Sequence, residues 1–159
     1  MKIRLLTVGK VKEKFFRDAI DEYKKRISKF ATVEIVEVND EKTIENASEA
    51  MNAQILNKEG ERILDKISDT EYVITLEIEG KKLDSIGLSE LIASTMNIGK
   101  SVITFVIGGS LGLSQKVKNR ANYKLSFSDM TFPHQLMRVI LLEQIYRSYK
   151  IMNGEPYHK

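Results

Sequence analysis

The stretch Ser101–Ile107 reads SVITFVI, and the stretch Gly108–Ser114, which reads GGSLGLS, follows it directly. A nearly continuous run of β-branched residues is typical of a strand that is covered on both faces, as in parallel sheets. Three glycines after such a strand allow the backbone to approach a ligand closely. We therefore predict a strand at the centre of a parallel sheet, with a loop for close approach at its carboxyl end. A tight strand-to-helix connection without a ligand is the alternative.

Strands and helices alternate on both sides of this stretch. The predicted strands are 3–8, 32–38, 72–78, 101–107 and 122–127, and the predicted helices are 13–30, 46–67, 89–96, 114–121 and 134–152. This alternation predicts one α/β domain over residues 1–159, with a mostly parallel sheet flanked by helices. Ligands of such sheets bind beyond the carboxyl ends of the strands, here after Ile78, Ile107 and Phe127.

Three local features give more specific expectations about these elements. Glu79-Gly80-Lys81 is expected to turn the chain out of the third strand. Ser89 is expected to cap the predicted helix 89–96. Gly60 is a weak point that could break the predicted helix 46–67. The last helix is apolar over more than half of its circumference, which is too broad for one packing face. A homodimer is the simplest explanation of a second buried face.

Composition excludes several kinds of chemistry. The 159 residues contain no cysteine, so disulfides, thiolate metal sites and a cysteine nucleophile are excluded. The two histidines alone do not make a convincing metal site. No apolar run approaches the length of a membrane span, and the first one ends by Gly9, too early for a signal peptide. We expect a cytoplasmic protein without a metal.

Basic residues are concentrated at the start of the chain. The net charge is +3, yet residues 1–30 carry ten basic and four acidic side chains. Lysines and arginines in such a cluster can contact phosphates, which gives affinity for nucleic acid without sequence specificity. A solvated helix face is the alternative. The basic side chains in question are Lys10, Lys12, Lys14, Arg17, Lys24, Lys25, Arg26 and Lys29.

Two further segments combine side chains that are suited to a site. Phe127–His134 places hydroxyls, a carboxylate and aromatic rings between a strand and a long helix, as in a pocket with apolar walls. A capped helix entry built on Thr131, Pro133 and His134 is the alternative. After the helix stop at Gly154, the tail 155–159 offers Tyr, His and Lys for contact with RNA, or is simply frayed.

Known motifs for nucleotides and hydrolysis are absent. The spacing of the glycine loop is G-G-x-x-G, which differs from the dinucleotide fingerprint, and no Gly-Lys-Ser/Thr follows to make a phosphate loop. No G-x-S-x-G elbow for a nucleophilic serine is present.

Four motifs in order resemble the ribosomal RNA large-subunit methyltransferase H family, within the SPOUT superfamily of knotted methyltransferases. They are RLLTVGK at 4–10, FVIGG at 105–109, PHQLMR at 133–138 and PYHK at 156–159. The resemblance covers the whole chain. It implies a SPOUT fold whose C-terminal part forms a trefoil knot, and a homodimer in which the partner contributes to each active site.

The resemblance also implies a reaction and a site. The reaction is methyl transfer from S-adenosylmethionine to N3 of a pseudouridine, of the position-1915 type in helix 69, in 23S rRNA of the assembled 70S ribosome. The implied cofactor residues are Leu76, Gly108, Gly109, Phe127, Ser128, Asp129, Met130, Thr131 and Phe132. Lys159, Arg4 and Lys10 are the expected contacts to RNA.

The absence of cysteine agrees with methylation at N3. Methylation of C5 generally needs a thiolate that first adds to the ring, whereas N3 has a lone pair once its proton leaves. We hypothesise that His158, with Tyr157 and Lys159, positions the base or assists deprotonation. Arg138 would contact a phosphate or the carbonyl oxygens that flank N3. His134 is equally well explained as a structural residue of the helix entry.

Two other functions are compatible with the sequence. A non-catalytic ribosome-binding module would need only the basic N-terminal cluster. An enzyme that uses another nucleotide is also possible, because a glycine-rich loop after a strand does not by itself specify the ligand. Calorimetry with S-adenosylmethionine, ATP and NAD distinguishes these functions from the methyltransferase.

Overall fold

Five strands and five helices alternate along the chain, and the computed structural model describes residues 1–159. Their bounds are β1 (Lys2–Val8), α1 (Lys14–Ile27), β2 (Thr32–Val38), α2 (Glu49–Leu64), β3 (Tyr72–Lys82), α3 (Ser85–Asn97), β4 (Val102–Ile107), α4 (Gln115–Arg120), β5 (Tyr123–Ser126) and α5 (His134–Met152).

The five strands form one parallel sheet in the order β2-β1-β4-β3-β5. The predicted α/β class and the parallel sheet are therefore confirmed. β4 lies in the central position, as its β-branched sequence predicts, and Ile103, Phe105 and Val106 have no exposed surface. Strand order does not define how the chain threads, so the trefoil knot stays a prediction.

Helices cover both faces of the sheet, because alternate residues of each strand point to opposite sides. On one face Leu5 and Phe105 belong to a core that α1, α3 and α5 complete. On the other face Leu6 and Val106 belong to a smaller core that α2 and α4 complete. The result is a three-layer domain with the carboxyl ends of its strands at a single edge.

The broad apolar surface of α5 is used largely within the chain. α5 packs against both α1 and α3, so Leu142, Ile145 and Tyr149 are buried without a second subunit. The ring of Phe30, just after α1, stacks on Tyr149 at a centroid distance of 5.5 Å. Leu136, in the first turn of α5, remains 36% exposed. The width of the apolar surface is therefore a weaker argument for a homodimer than the sequence indicates.

The predicted turn at Glu79-Gly80-Lys81 is wrong, because β3 continues through it to Lys82. Lys81 and Lys82 pair with β5 after a register shift that follows Leu76. A Cβ atom at Gly80 would lie 2.8 Å from the carbonyl oxygen of Lys124. Glycine is therefore required here for close approach of two strands and not for a turn.

The predicted start of α3 and the predicted weak point in α2 are also wrong. Asp84 caps α3, since its carboxylate accepts a hydrogen bond from the backbone N–H of Gly87 at 2.7 Å. Ser89 is buried inside that helix, where its hydroxyl donates to the carbonyl of Ile86. α2 continues through Gly60 because the glycine packs against α4: a Cβ atom there would lie 2.3 Å from the hydroxyl oxygen of Ser114.

Gly60→Ala is expected to destabilise the protein. Alanine ordinarily favours a helix over glycine by about 1 kcal/mol. Here the added methyl group overlaps Ser114, which caps α4, and overpacking of this kind typically costs about 1–3 kcal/mol. Urea unfolding measures the net change. The control is Glu61→Ala on the exposed side of the same helix, which should change stability little. A Gly60→Ala variant more stable than wild type would show that the two helices are not in close contact.

Candidate functional site

A cavity of about 720 Å³ lies at the carboxyl edge of the sheet. Its walls come from the end of β3, the loops after β4 and β5, and the first turn of α5. Its volume lies within the range of about 300–1,000 Å³ that is usual for small-molecule sites, and its place is the one expected for an open α/β sheet. The lining residues are Leu76, Glu77, Ile78, Ile107, Gly108, Gly109, Ser110, Leu111, Gly112, Leu125, Phe127, Ser128, Met130, Thr131, Phe132, Pro133, His134 and Met137.

The glycine loop forms one wall by folding tightly on itself. Gly109 and Gly112 form an isolated antiparallel bridge, and the N–H of Gly112 donates to the carbonyl of Gly109 at 3.1 Å. A Cβ atom at Gly108 would lie 2.4 Å from the backbone oxygen of Gly112, which itself has a φ of +85°. No other residue fits these two positions without strain. Main-chain atoms therefore line this side of the cavity.

Residues 127–133 form the facing wall. Two hydrogen bonds hold the segment in place: the hydroxyl of Ser126 donates to the carbonyl of Ser128 at 3.1 Å, and the N–H of Met130 donates to the hydroxyl of Ser128 at 3.0 Å. Phe127 and Phe132 contribute apolar surface to the cavity. The arrangement combines an apolar wall with a polar main-chain wall, which suits a ligand that has both a flat ring and hydrogen-bonding groups.

Eight of the nine implied cofactor residues meet at this cavity: Leu76, Gly108, Gly109, Phe127, Ser128, Met130, Thr131 and Phe132. Asp129 does not line it. Its side chain is 78% exposed and its carboxylate forms an ion pair with Lys82 at 2.5 Å. The direction of Asp129 follows from the loop, because the hydrogen bonds around Ser128 turn the next residue outward.

Arg138 lies behind the cavity and is almost fully buried, with 1% of its surface exposed. Its guanidinium donates to a carboxylate oxygen of Glu37 at 2.7 Å and to the carbonyls of Val8 and Gly9 at 3.1 and 3.0 Å. Burial lowers the pKa of Arg138, and the Glu37 carboxylate opposes that effect. The arginine thereby joins α5 to the carboxyl ends of β1 and β2.

Two titratable residues beside the cavity have perturbed pKa values. Burial, together with the nearby charge of Arg138, lowers the pKa of His134 and favours its neutral ring. Glu59 is 5% exposed behind the glycine loop, where its carboxylate accepts from the N–H of Glu41 at 2.9 Å. Burial raises the pKa of this carboxyl. Sequence reasoning did not find Glu59, because it lies on an otherwise polar helix with no distinguishing pattern.

The C-terminal tail folds back along α5. The hydroxyl of Tyr157 donates to a carboxylate oxygen of Glu143 at 3.1 Å, and the Arg147 guanidinium lies 4.7 Å from the centre of the Tyr157 ring. Arg147 also approaches Nδ1 of His158 at 3.3 Å. Lys159 is exposed. Glu143 and Arg147 were missed, although their i,i+4 spacing on a helix is a recognisable signal.

Within one chain the tail and the cavity are separated. The tail contacts Arg147, whereas the cavity contacts the first turn of α5 at His134. These two positions are about 20 Å apart along the helix, given a rise of 1.5 Å per residue. Tyr157 and His158 therefore do not reach the cavity of their own chain in this structure.

The two expected N-terminal contacts to RNA have different surroundings. Lys10 is exposed in the loop between β1 and α1, at the same edge of the sheet as the cavity. Arg4 lies near the other end of β1, with its side chain 11% exposed and paired with Glu34 and Glu71. Since its charge is already compensated by two carboxylates, Arg4 is better explained as a structural residue than as an RNA contact.

None of the helices has both the length and the apolar character needed to cross a bilayer. No three residues among the histidines, aspartates and glutamates come together in a way that could hold a metal ion.

The chain matches a known protein family and shares its fold with a solved structure. A family model described as "Predicted SPOUT methyltransferase" matches residues 1–158. A solved structure of "a probable methylase family protein" from Haemophilus influenzae Rd KW20 has a TM-score of 0.55 with 14% identity, covering 99% of this chain and 70% of that one. At this identity the likeness shows the fold alone. The class is that of the SPOUT methyltransferases.

Similar sequences define the family more narrowly. The ribosomal RNA large subunit methyltransferase H of Clostridium novyi (strain NT) is 60% identical over 159 residues, covering 100% of both chains. The protein of the same name from Bifidobacterium animalis subsp. lactis (strain AD011) is also 60% identical over the full length of both. The chain belongs to the ribosomal RNA large subunit methyltransferase H family.

Arg138→Ala is expected to lower the free energy of unfolding by about 2–4 kcal/mol. The substitution leaves two main-chain carbonyls and the Glu37 carboxylate without their shared donor, and each buried unsatisfied group costs about 1–3 kcal/mol. Arg138→Lys should cost less, because a lysine keeps the charge and can reach some of the acceptors. Urea unfolding measures both.

The matched control is Arg26→Ala, which removes an arginine from an exposed i,i+4 pair and should change stability little. If Arg138→Ala were as mild as this control, the buried arginine would not be holding α5 to β1 and β2.

Proposed function

We propose that this protein transfers a methyl group from S-adenosylmethionine to N3 of a pseudouridine in large-subunit ribosomal RNA. The proposed target is the position-1915 type of pseudouridine in helix 69 of 23S rRNA, on the assembled 70S ribosome in the cytoplasm. The proposal rests on one observation above all: the cavity between the glycine loop and residues 127–133, at the carboxyl edge of the sheet. The names of the similar proteins support large-subunit ribosomal RNA as the class of substrate.

The residues around the cavity fit S-adenosylmethionine. Leu76, Phe127 and Phe132 offer apolar surface of the kind that packs against an adenine ring. The main-chain groups of Gly108 and Gly109 are accessible because no side chain covers them, and they suit the polar parts of the cofactor. When bound, S-adenosylmethionine supplies a methyl group that is electrophilic because it is attached to a positively charged sulfur.

The task of the protein is then to position N3 and to assist removal of its proton. The Arg147 guanidinium has only N–H donors, so the contact at 3.3 Å makes Nδ1 of His158 an acceptor. The neutral ring then carries its hydrogen on Nε2. An N–H at that position suits a hydrogen bond to a carbonyl oxygen beside N3. It stabilises the negative charge that spreads to that oxygen when the N3 proton passes to solvent water. Positioning of the base is thus favoured over proton acceptance.

Arg138 receives a different role from the one its sequence motif suggests. Its contacts to Glu37 and to two main-chain carbonyls use the guanidinium inside the chain. We therefore propose that Arg138 positions the loop after β1 and does not contact RNA. Lys10 and Lys159 remain proposed contacts to the RNA, and Tyr157 is proposed to act with His158 at the base.

A homodimer is part of the proposal, because one chain does not bring the tail to the cavity. Apolar side chains at the mouth of the cavity offer surface for a second copy: Ile78 is 48% exposed and Met130 is 73% exposed. We propose that the tail of each subunit completes the cavity of the other.

We also propose that the C-terminal part of the chain is threaded into a trefoil knot, which an experimental trace of the main chain would test.

The reaction is tested with radiolabelled methyl donor and ribosomes that lack the modification. We expect label on one nucleotide of large-subunit RNA, at N3 of a pseudouridine. Gly108→Ala should abolish both labelling and donor binding by calorimetry, because its methyl group would lie against the backbone of Gly112. Label on protein, DNA or small-subunit RNA would contradict the substrate, and failure to bind the donor would contradict the methyltransferase activity as well.

The shared site is tested by coexpressing two inactive subunits, Gly108→Ala and His158→Ala. A mixed dimer contains one intact cavity and, from the other subunit, one intact tail. With random assembly we expect about a quarter of the wild-type activity, because half of the dimers are mixed and one of their two sites is intact. If the tail served its own chain, mixing would restore nothing.

A second histidine substitution separates positioning from proton transfer. His158→Gln keeps an N–H near the position of Nε2 but cannot accept a proton. It should therefore retain more activity than His158→Ala, with donor binding unchanged in both. Equal loss in the two variants would favour His158 as the group that takes the proton.

A further inference from the structure

A phenylalanine stands out from the surface at the start of α1. Phe15 is 66% exposed, and its ring lies 4.4 Å from that of Phe16 with an angle of 51° between the two planes. Phe16 is half-buried and fixes the base of the pair. A single exposed apolar residue needs no explanation by itself, so the surroundings of Phe15 decide what it can bind.

The surroundings of Phe15 are basic. Lys10, Lys12 and Lys14 are exposed in the loop before α1 and in its first turn, and Glu13 is the only acidic residue from 10 to 17. Lys14 is partly compensated by an ion pair with Asp18. An aromatic ring among lysines is suited to single-stranded nucleic acid, where the ring stacks on a base and the ammonium groups contact phosphates.

Hydrogen bonds hold the loop that carries these side chains in place. The Arg17 guanidinium donates to the carbonyls of Val11 and Lys12, at 3.3 and 2.6 Å. The N–H of Val11 donates to the Glu37 carboxylate at 3.2 Å. A surface that is ordered before binding loses little conformational entropy on binding.

This surface, Lys10–Phe15, is connected to the cavity. The same oxygen of Glu37 that accepts from Val11 also accepts from Arg138. Arg138 follows Met137, which lines the cavity. The Lys10–Phe15 surface and the cavity therefore both lie at the carboxyl edge of the sheet. An RNA strand that places a base in the cavity can continue over the loop between β1 and α1.

We propose that Phe15 is a stacking platform for an unpaired base of the RNA substrate, with Lys10 and Lys12 contacting the adjacent phosphates. This inference rests on the proposed RNA substrate and adds a contact outside the cavity. Charge complementarity favours RNA over a second copy of this chain, because the same patch on a symmetric partner would bring lysines together.

The chain contains no tryptophan, so the substitution Phe15→Trp introduces a single indole whose fluorescence reports on this surface. A mixed-sequence single-stranded RNA oligonucleotide should quench its fluorescence, and the annealed duplex of the same sequence should not. Phe15→Ala should bind the single strand about ten-fold more weakly than wild type, within the range known for base stacking. With ribosomes as substrate, the same variant should show a raised KM and a nearly unchanged kcat.

Controls separate this inference from the proposed function. Ile98→Ala, at an apolar residue 68% exposed at the end of α3, should match wild type in every assay. If Phe15→Ala bound RNA and methylated ribosomes normally, the proposed stacking of a base on Phe15 would be overturned. The proposed methyltransferase activity would be unaffected. Absence of quenching at saturating RNA would also overturn the stacking proposal. The stacking proposal would likewise be overturned if the fluorescence of Phe15→Trp responded only to protein concentration, as at a subunit interface. A response only to vesicles of anionic phospholipid would overturn it too.

Discussion

The structure depends on how closely the main chain folds after the central strand. Gly108 directly follows β4, and a Cβ atom there would lie 2.4 Å from the carbonyl oxygen of Gly112, so no side chain fits. The central strand is covered on both faces, so the loop has a fixed origin. The facing wall starts at the end of β5, on the edge strand that pairs with β3. A cavity with one main-chain wall and one apolar wall follows from these two positions.

A layer of polar contacts extends this arrangement across the rest of the edge. Arg138 connects α5 to the ends of β1 and β2, and Glu37 connects the same arginine to the loop that carries Lys10. Glu59 supports the loop after β2 by accepting from Glu41. Loops at such an edge are usually mobile and carry function. Here the buried arginine and the two carboxylates hold two of them, the loops after β1 and β2, by hydrogen bonds.

Sequence patterns predicted the features that local chemistry determines. The β-branched run at 101–107 predicted the central strand, and the three glycines after it predicted the loop. Features that depend on distant neighbours were not predictable in this way. The glycine at position 80 is needed because Lys124 lies close to it, and the glycine at position 60 because Ser114 does. The outward direction of Asp129 is explained by the hydrogen bonds around Ser128. The motif containing Arg138 was visible, but its partners are about 100 and 130 residues away in the chain.

The separation of the proposed catalytic groups is the main consequence of the structure for the proposed mechanism. The cavity holds the proposed cofactor residues of one chain, and the tail of that chain lies more than three helical turns away along α5. The proposed reaction therefore needs the tail of a second copy at each cavity, which is why a homodimer is part of the proposal.

A crystal structure of the protein soaked with S-adenosylmethionine tests this account most directly. We expect the cofactor between Gly108–Gly109 and residues 127–132, with Tyr157 and His158 of a second copy facing its methyl group. A cavity that stays empty at saturating cofactor, or cofactor bound elsewhere on the chain, would contradict the account.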